Sequence, residues 1–253
     1  AETHALPDAN GAKVKHGVPF WDNDQLMDAY CGKSSPPRVA IFGGGDGALQ
    51  DTLRALTRHD HPLKTWDLLL STDKLGLFAG CQQRILALEQ QHAQVSIWEH
   101  FDKQRIDANK TLDDAYSKLA RNLAQFPQVV DAVVDLLRDD VKSVRLCVRE
   151  QHFSKAYALN RFLVHLFDQC IQVRGAYATA IDFQVLWDMD LKQAVVNGAQ
   201  TDLTFTSGTT LTADVVAVRF GADTSTLPGT WLGLTKTDTE NRRELAAVPL
   251  PLF

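Results

Sequence analysis

Gly43, Gly45 and Ala48 stand at the spacing G-x-G-x-x-[G/A], with Gly44, Asp46 and Gly47 filling the intervening places. A backbone without Cβ atoms can turn tightly and approach a diphosphate, and the amides that open a following helix point at the anion. The context is the one this chemistry requires. "RVAIF" precedes the glycines as an apolar strand, and Leu49, Leu53 and Leu56 follow at helical spacing. The same pattern also reads as a plain tight strand-to-helix turn. Asp46 is unfavourable beside a phosphate unless it points away, caps the helix or binds a substrate amine; as an early helix residue it reads as a cap.

Asp73 and Lys74, in "LLLSTDK", are the second pair of candidates. With "DLLLST" read as a buried strand, Asp73 falls at its end, 26 residues beyond Gly47, against the spacing of about 20 expected for a ribose-binding acid. A carboxylate there would hold ribose hydroxyls of NAD or S-adenosylmethionine, and Lys74 would favour the 2′-phosphate of NADP. The alternative is a helix N-cap formed by Ser71, Thr72 or Asp73. Arg145, Arg149 and Glu150 flank another strand and could touch a phosphate from its end, or simply form a solvated face. His100 and His152 are lone imidazoles beside aromatics, which fit packing or surface roles better than acid–base work. His59 and His61 have no third ligand nearby, so no zinc site is expected. Asn160 and Arg161 interrupt the apolar surface of a helix and read as partners of buried backbone or of another domain. Serine-hydrolase elbows, zincin motifs and P-loops are absent from the sequence.

The elements that must carry these groups follow from periodicity. Strand, glycine turn, helix and the apolar run "DLLLST" read as a β-α-β unit, which implies a parallel sheet. "WDNDQLMDAYCG" reads as a short helix, "GCQQRILALEQQHA" as a longer one and "VSIWEH" as a brief strand. "TLDDAYSKLARNLAQ" and "PQVVDAVVDLLRDD" read as successive helices, with Pro127 in the first turn of the second. "VKSVRLCVRE" returns to strand, and "SKAYALNRFLVHLFDQC" is a helix with a broad apolar face. "QAVVNGAQ", "TDLTFTS" and "TTLTADVVAVRFG" read as strands joined by glycine turns. The expected architecture is α/β: a three-layer, Rossmann-like parallel sheet with a helical insertion near 103–140 and a β-rich C-terminal segment over 191–253. Residues 1–36 form a lead-in, and 37–190 the nucleotide-binding domain.

Composition bounds the function. With 253 residues, 45% of them hydrophobic, the chain can bury a substantial core. A net charge of −5 gives no electrostatic reason to expect nucleic-acid or anionic-membrane binding. Cys31, Cys81, Cys147 and Cys170 form no C-x-x-C pair, which implies buried thiols in a reduced, cytoplasmic setting.

Two resemblances follow from these stretches. "VVNGAQTDLTFTSGTTLTADVVAVRFG" resembles a segment of the two-dinucleotide-binding flavoproteins, in which a small sheet leads into "aD-hydrophobic-hydrophobic" and a glycine turn near the flavin. Ala213-Asp214 and the strand Val215 to Gly221 take those places; the family's Ala-Thr-Gly ending is here Arg219-Phe220-Gly221. "VPFWDNDQLMDAYCGKSSPPRVAIFGGGDGALQDTLRAL" is similar to the linker and second glycine fingerprint of the same family, the one that binds NAD or NADP. The resemblance implies the NAD(P)-binding part of a flavin-linked oxidoreductase, with Gly43, Gly44, Gly45, Asp46, Gly47 and Ala48 at the pyrophosphate and Asp73 or Lys74 at the ribose. FAD enters as the hydride partner; its own fingerprint is absent from this sequence, so an amino-terminal flavin domain stands outside it. The shorter phrase "GGGDGAL" resembles the loop of spermidine-synthase-like transferases, with "STDK" near their ribose-binding acid. That similarity implies a transferase using S-adenosylmethionine or its decarboxylated analogue. A non-catalytic Rossmann-like binding module is the third reading.

Overall fold

Pro36-Pro37 breaks any preceding element, and the β-branched and apolar run that follows forms strand β3, Arg38–Phe42, in the computed structural model. The structure describes residues 5–15, 35–92, 103–153, 156–175 and 181–220. A short antiparallel pair, β1 (Ala5–Pro7) and β2 (Lys13–Lys15), comes first. After β3 come helices α1 (Asp46–Leu56), α2 (Pro62–Ser71), α3 (Leu77–His92), α4 (Lys103–Leu123) and α5 (Pro127–Val134). Strand β4 (Ser143–Cys147), helix α6 (Ala158–Arg174) and strand β5 (Asp182–Leu186) follow. The chain then runs through β6 (Leu191–Asn197), β7 (Gln200–Phe205), β8 (Thr210–Ala213) and β9 (Val215–Val218).

Strands β5, β4, β3 and β9 form a four-stranded parallel sheet in that order. The protein is thus α/β, with helices against the parallel sheet. Side-chain alternation sorts the two faces. Val39 and Ile41 of β3, Val144 and Leu146 of β4, and Ala217 of β9 enter the larger core with the helices. Ala40, Phe42, Cys147, Val216 and Val218 enter a second core with Ala194, Leu203, Phe205 and Ala213 of the antiparallel sheet β6-β7-β8. That meander leaves the end of β5 and delivers the chain to β9, on the far side of β3. Asp214 fixes the return: its carboxylate accepts from the Arg38 backbone N–H at 2.8 Å and from Arg38 Nε at 3.0 Å.

The run "DLLLST" is not a strand. It belongs to α2, where His61 Nδ1 accepts from the Leu63 N–H at 3.2 Å, Pro62 occupies the first turn, and Trp66 and Leu69 are buried. A short apolar run fits either helix or strand, and here the start signals His61-Pro62 decide for helix. The β-α-β unit expected within residues 38–72 therefore does not form. The next described strand along the chain, and the one that pairs with β3, is β4; every described element between α1 and β4 is helical, so the helical insertion opens at α2 rather than near residue 103. The helix expected in 21–32, the strand expected in 95–100, His100, Cys31 and everything after residue 220 lie outside the described residues. Among the described residues no helix is long and apolar enough to cross a membrane.

Candidate functional site

The sheet order places the site. From β3 the chain winds outward through β4 and β5, then returns to the opposite side of β3 as β9. The carboxyl ends of β3 and β9 therefore form the point where winding direction reverses, the place where open α/β sheets bind ligands. The glycine turn sits there.

Gly43 has φ +137°, in the region that favours glycine, and a Cβ on it would lie 2.4 Å from the Arg219 carbonyl oxygen. A Cβ on Gly44 would meet Val148 Cγ1 at 2.9 Å, with a Glu150 Oε2 at 3.8 Å. These two glycines thus let β3 pass between the ends of β9 and β4. Gly45 is the N-cap of α1 and offers no side-chain cap, and the first helical bond runs from the Leu49 N–H to the Gly45 carbonyl at 3.1 Å. The amides of Asp46, Gly47 and Ala48 lie ahead of that bond, at the positive end of the helix. Gly44, Gly45, Asp46 and Gly47 are all half-buried, so the turn is reachable from solvent, whereas Ala48 is fully buried against β3.

Asp46 caps a different helix from the one it starts. Its Oδ1 accepts from the Tyr157 N–H at 3.1 Å and from Asn160 Nδ2, both at the amino end of α6. Burial raises its carboxyl above the ordinary range, and the Asn160 and Tyr157 hydrogen bonds oppose that rise. The carboxylate is thereby drawn away from the start of α1. Asn160, one of the two polar residues interrupting the α6 surface, is the partner that does this.

Asp73 and Lys74 lie in the turn between α2 and α3, not at a strand end. Asp73 Oδ1 accepts from the Leu77 N–H, and its Oδ2 from the Phe78 and Ala79 N–H groups, all within 2.8–3.0 Å. Its carboxylate is committed to the start of α3, so the helix-cap alternative is the one that forms. Lys74 is exposed on the same turn.

Instead, the carboxylate beside the glycine turn is Glu150, exposed just past the end of β4. Arg149 precedes it, also exposed, 3.6 Å from Asp190. The segment that carries both is tied to the one following β5. The Val148 N–H donates to the Leu186 carbonyl at 2.9 Å, the Met189 N–H to the Val148 carbonyl at 2.9 Å, and Gln151 Nε2 to Asp188 Oδ2 at 2.8 Å. On the other side, Arg219 follows β9. Its N–H donates to the Phe42 carbonyl at 2.8 Å, and its side chain turns inward, with Nε 2.6 Å from Asp51 Oδ2 on α1. Both side chains are buried, and burial raises the Asp51 carboxyl against the opposing pull of Arg219 and Arg54. Arg219 thus pins the end of β9 to α1.

A cavity of about 550 Å³ opens at the opposite end of the sheet, among Arg38, Asp139, Lys142, Gln200 and Asp214, and another of about 330 Å³ lies between α6 and β5. Neither includes a residue of the glycine turn. Among the described residues no cluster of three or more His, Cys, Asp or Glu residues is arranged for a metal. No protein-family model matches the chain, and no curated protein matches it significantly.

Proposed function

We propose that the glycine turn grips the diphosphate of a nicotinamide dinucleotide and that the chain is the NAD(P)-binding part of a flavin-linked oxidoreductase, built on a Rossmann-like unit. The observation that carries this is positional. Half-buried glycine amides at the start of α1 sit at the point where the sheet reverses its winding. The path of the chain adds support: an antiparallel meander leads through Ala213-Asp214 into a strand parallel to β3, the order of elements on which the flavoprotein resemblance rests.

Glu150 takes the ribose role first expected of Asp73. An exposed carboxylate at the end of the neighbouring strand accepts hydroxyl hydrogens from the adenosine ribose and repels a 2′-phosphate, so NADH binds more tightly than NADPH. When bound, the nicotinamide supplies a hydride, which in this reading passes to a flavin held by a domain outside the chain.

Isothermal titration of the purified chain with NADH, NADPH and S-adenosylmethionine tests the proposal. NADH is expected to bind most tightly, and Glu150→Gln to weaken it by about tenfold, the loss of a charge-assisted hydrogen bond. Binding of S-adenosylmethionine alone would assign the turn to a transferase.

A further inference from the structure

A nucleotide spanning the turn has two ends, and Glu150 accounts for one. In the order β5-β4-β3-β9, Glu150 follows β4, on one side of the glycine turn, and Phe220 follows β9, on the other. A dinucleotide whose adenosine end reaches Glu150 and whose diphosphate rests at Gly44–Gly47 sends its second ring toward β9.

Phe220 meets it there. It is 42% exposed, which is high for a phenylalanine packed at the end of a core strand. One edge rests on Phe42, the last residue of β3, with ring centroids 6.4 Å apart and planes inclined by 70°. The Arg149 guanidinium lies 6.0 Å from the Phe220 ring centroid, and its side chain is 66% exposed, free to shift by the ångström or so that a planar ring requires. An exposed aromatic face with a cation above it, each group two residues beyond a strand end that frames the turn, is suited to stacking a flat heteroaromatic ring.

We infer that Phe220 and Arg149 form the stacking platform for the nicotinamide ring, an inference that rests on the dinucleotide reading above. Phe220 gives one face of the ring its apolar support, and Arg149 moves to the ring's edge, which leaves the other face open to the flavin. This function also accounts for why the chain carries Arg-Phe after β9: Arg219 anchors the strand end to Asp51, and Phe220 projects beyond it.

The test compares NADH with ADP-ribose, which has the adenosine and both phosphates but no nicotinamide. Each is titrated into the full chain carrying Phe220→Ala, Phe220→Leu, Phe220→Tyr or Arg149→Gln. Phe220→Leu keeps an apolar contact with Phe42, so the comparison survives if the alanine variant folds poorly. The expected result is that Phe220→Ala and Phe220→Leu weaken NADH by about tenfold and leave ADP-ribose within twofold, with Arg149→Gln intermediate and Phe220→Tyr restoring affinity. NADH binding unchanged by Phe220→Ala and Phe220→Leu, or NADH and ADP-ribose weakened equally, would overturn the platform while leaving the dinucleotide reading standing. Wild-type chain that binds neither ligand would remove both.

Discussion

Gly43 shows how one residue can serve packing and chemistry together. Its left-handed φ and the 2.4 Å approach of the Arg219 carbonyl to a Cβ position leave no room for a side chain. Gly43→Ala is expected to cost roughly 2–3 kcal/mol through backbone strain alone, seen as a fall of about 5–10 °C in thermal midpoint. A variant as stable as the parent would mean that the turn can reshape. Asp51 makes a complementary case. It is fully buried on α1 and faces Arg219, so Asp51→Ala takes away a carboxylate that balances a cation inside the core. The expected loss is about 3–5 kcal/mol in denaturant unfolding, whereas Asp51→Leu combined with Arg219→Met is expected to recover most of it. The glycine turn between strand and helix was legible in the sequence, because it depends on neighbours within a few positions; Asp46 reads there as a cap of its own helix, whereas its carboxylate reaches Tyr157 and Asn160 at the start of α6. Glu150 was legible as a group at a strand end, but neither its place beside the glycine turn nor the Asp51–Arg219 pair was. Glu150 stands more than a hundred residues from Gly44 and Arg219 more than 160 from Asp51, and only pairing of β4 and β9 with β3 brings them together.

Among the elements, those with a sustained period were readable: the helices Leu77–His92 and Ala158–Arg174, Pro127 at the first turn of α5, and the strands β3 and β4. The run "DLLLST" failed because three apolar residues suit a buried strand and a helix equally, and that single misreading moved the expected ribose acid to Asp73. The helical insertion also carries a polar cluster that its periodicity does not reveal. Asp113 of α4 lies 3.7 Å from Arg161 and 3.0 Å from His165 of α6, and accepts from the Phe153 N–H at 3.1 Å. It therefore joins the insertion to α6 and to the segment that carries Glu150. The Arg161 side chain is fully buried, with its guanidinium 5.9 Å from the centre of the Tyr116 ring. Asp113→Ala is expected to destabilise the fold by about 3–5 kcal/mol in denaturant unfolding, since a buried guanidinium loses its facing charge; Asp113→Asn, which can still accept hydrogen bonds, is expected to cost less. At the opposite end of the sheet, Arg38 holds the Asp214 carboxyl down to about 2. A depressed carboxylate stabilises the fold above its ordinary pKa and loses that contribution as pH falls from about 4 to about 2. With both partners partly exposed, the contribution is about 1 kcal/mol. Asp214→Asn should therefore flatten that part of the stability–pH curve, and an unchanged curve would show that the clamp between β3 and β9 carries little energy.

The molecule as a whole presents a parallel sheet with helices on one face and an antiparallel meander on the other, and a glycine turn where the winding reverses. Its helical insertion separates the turn from the strand that completes the site, yet leaves the carboxyl ends of β4, β3 and β9 side by side. The proposed function requires the amides at the start of α1 to meet a diphosphate. Amide-resolved nuclear magnetic resonance of the isotopically labelled chain during titration with NADH reads those groups directly. Saturable shifts centred on Gly44, Gly45, Asp46 and Gly47, reproduced by ADP-ribose, are the predicted result. Resonances of the turn that stay fixed while NADH is added in excess, whether or not others move, would contradict it.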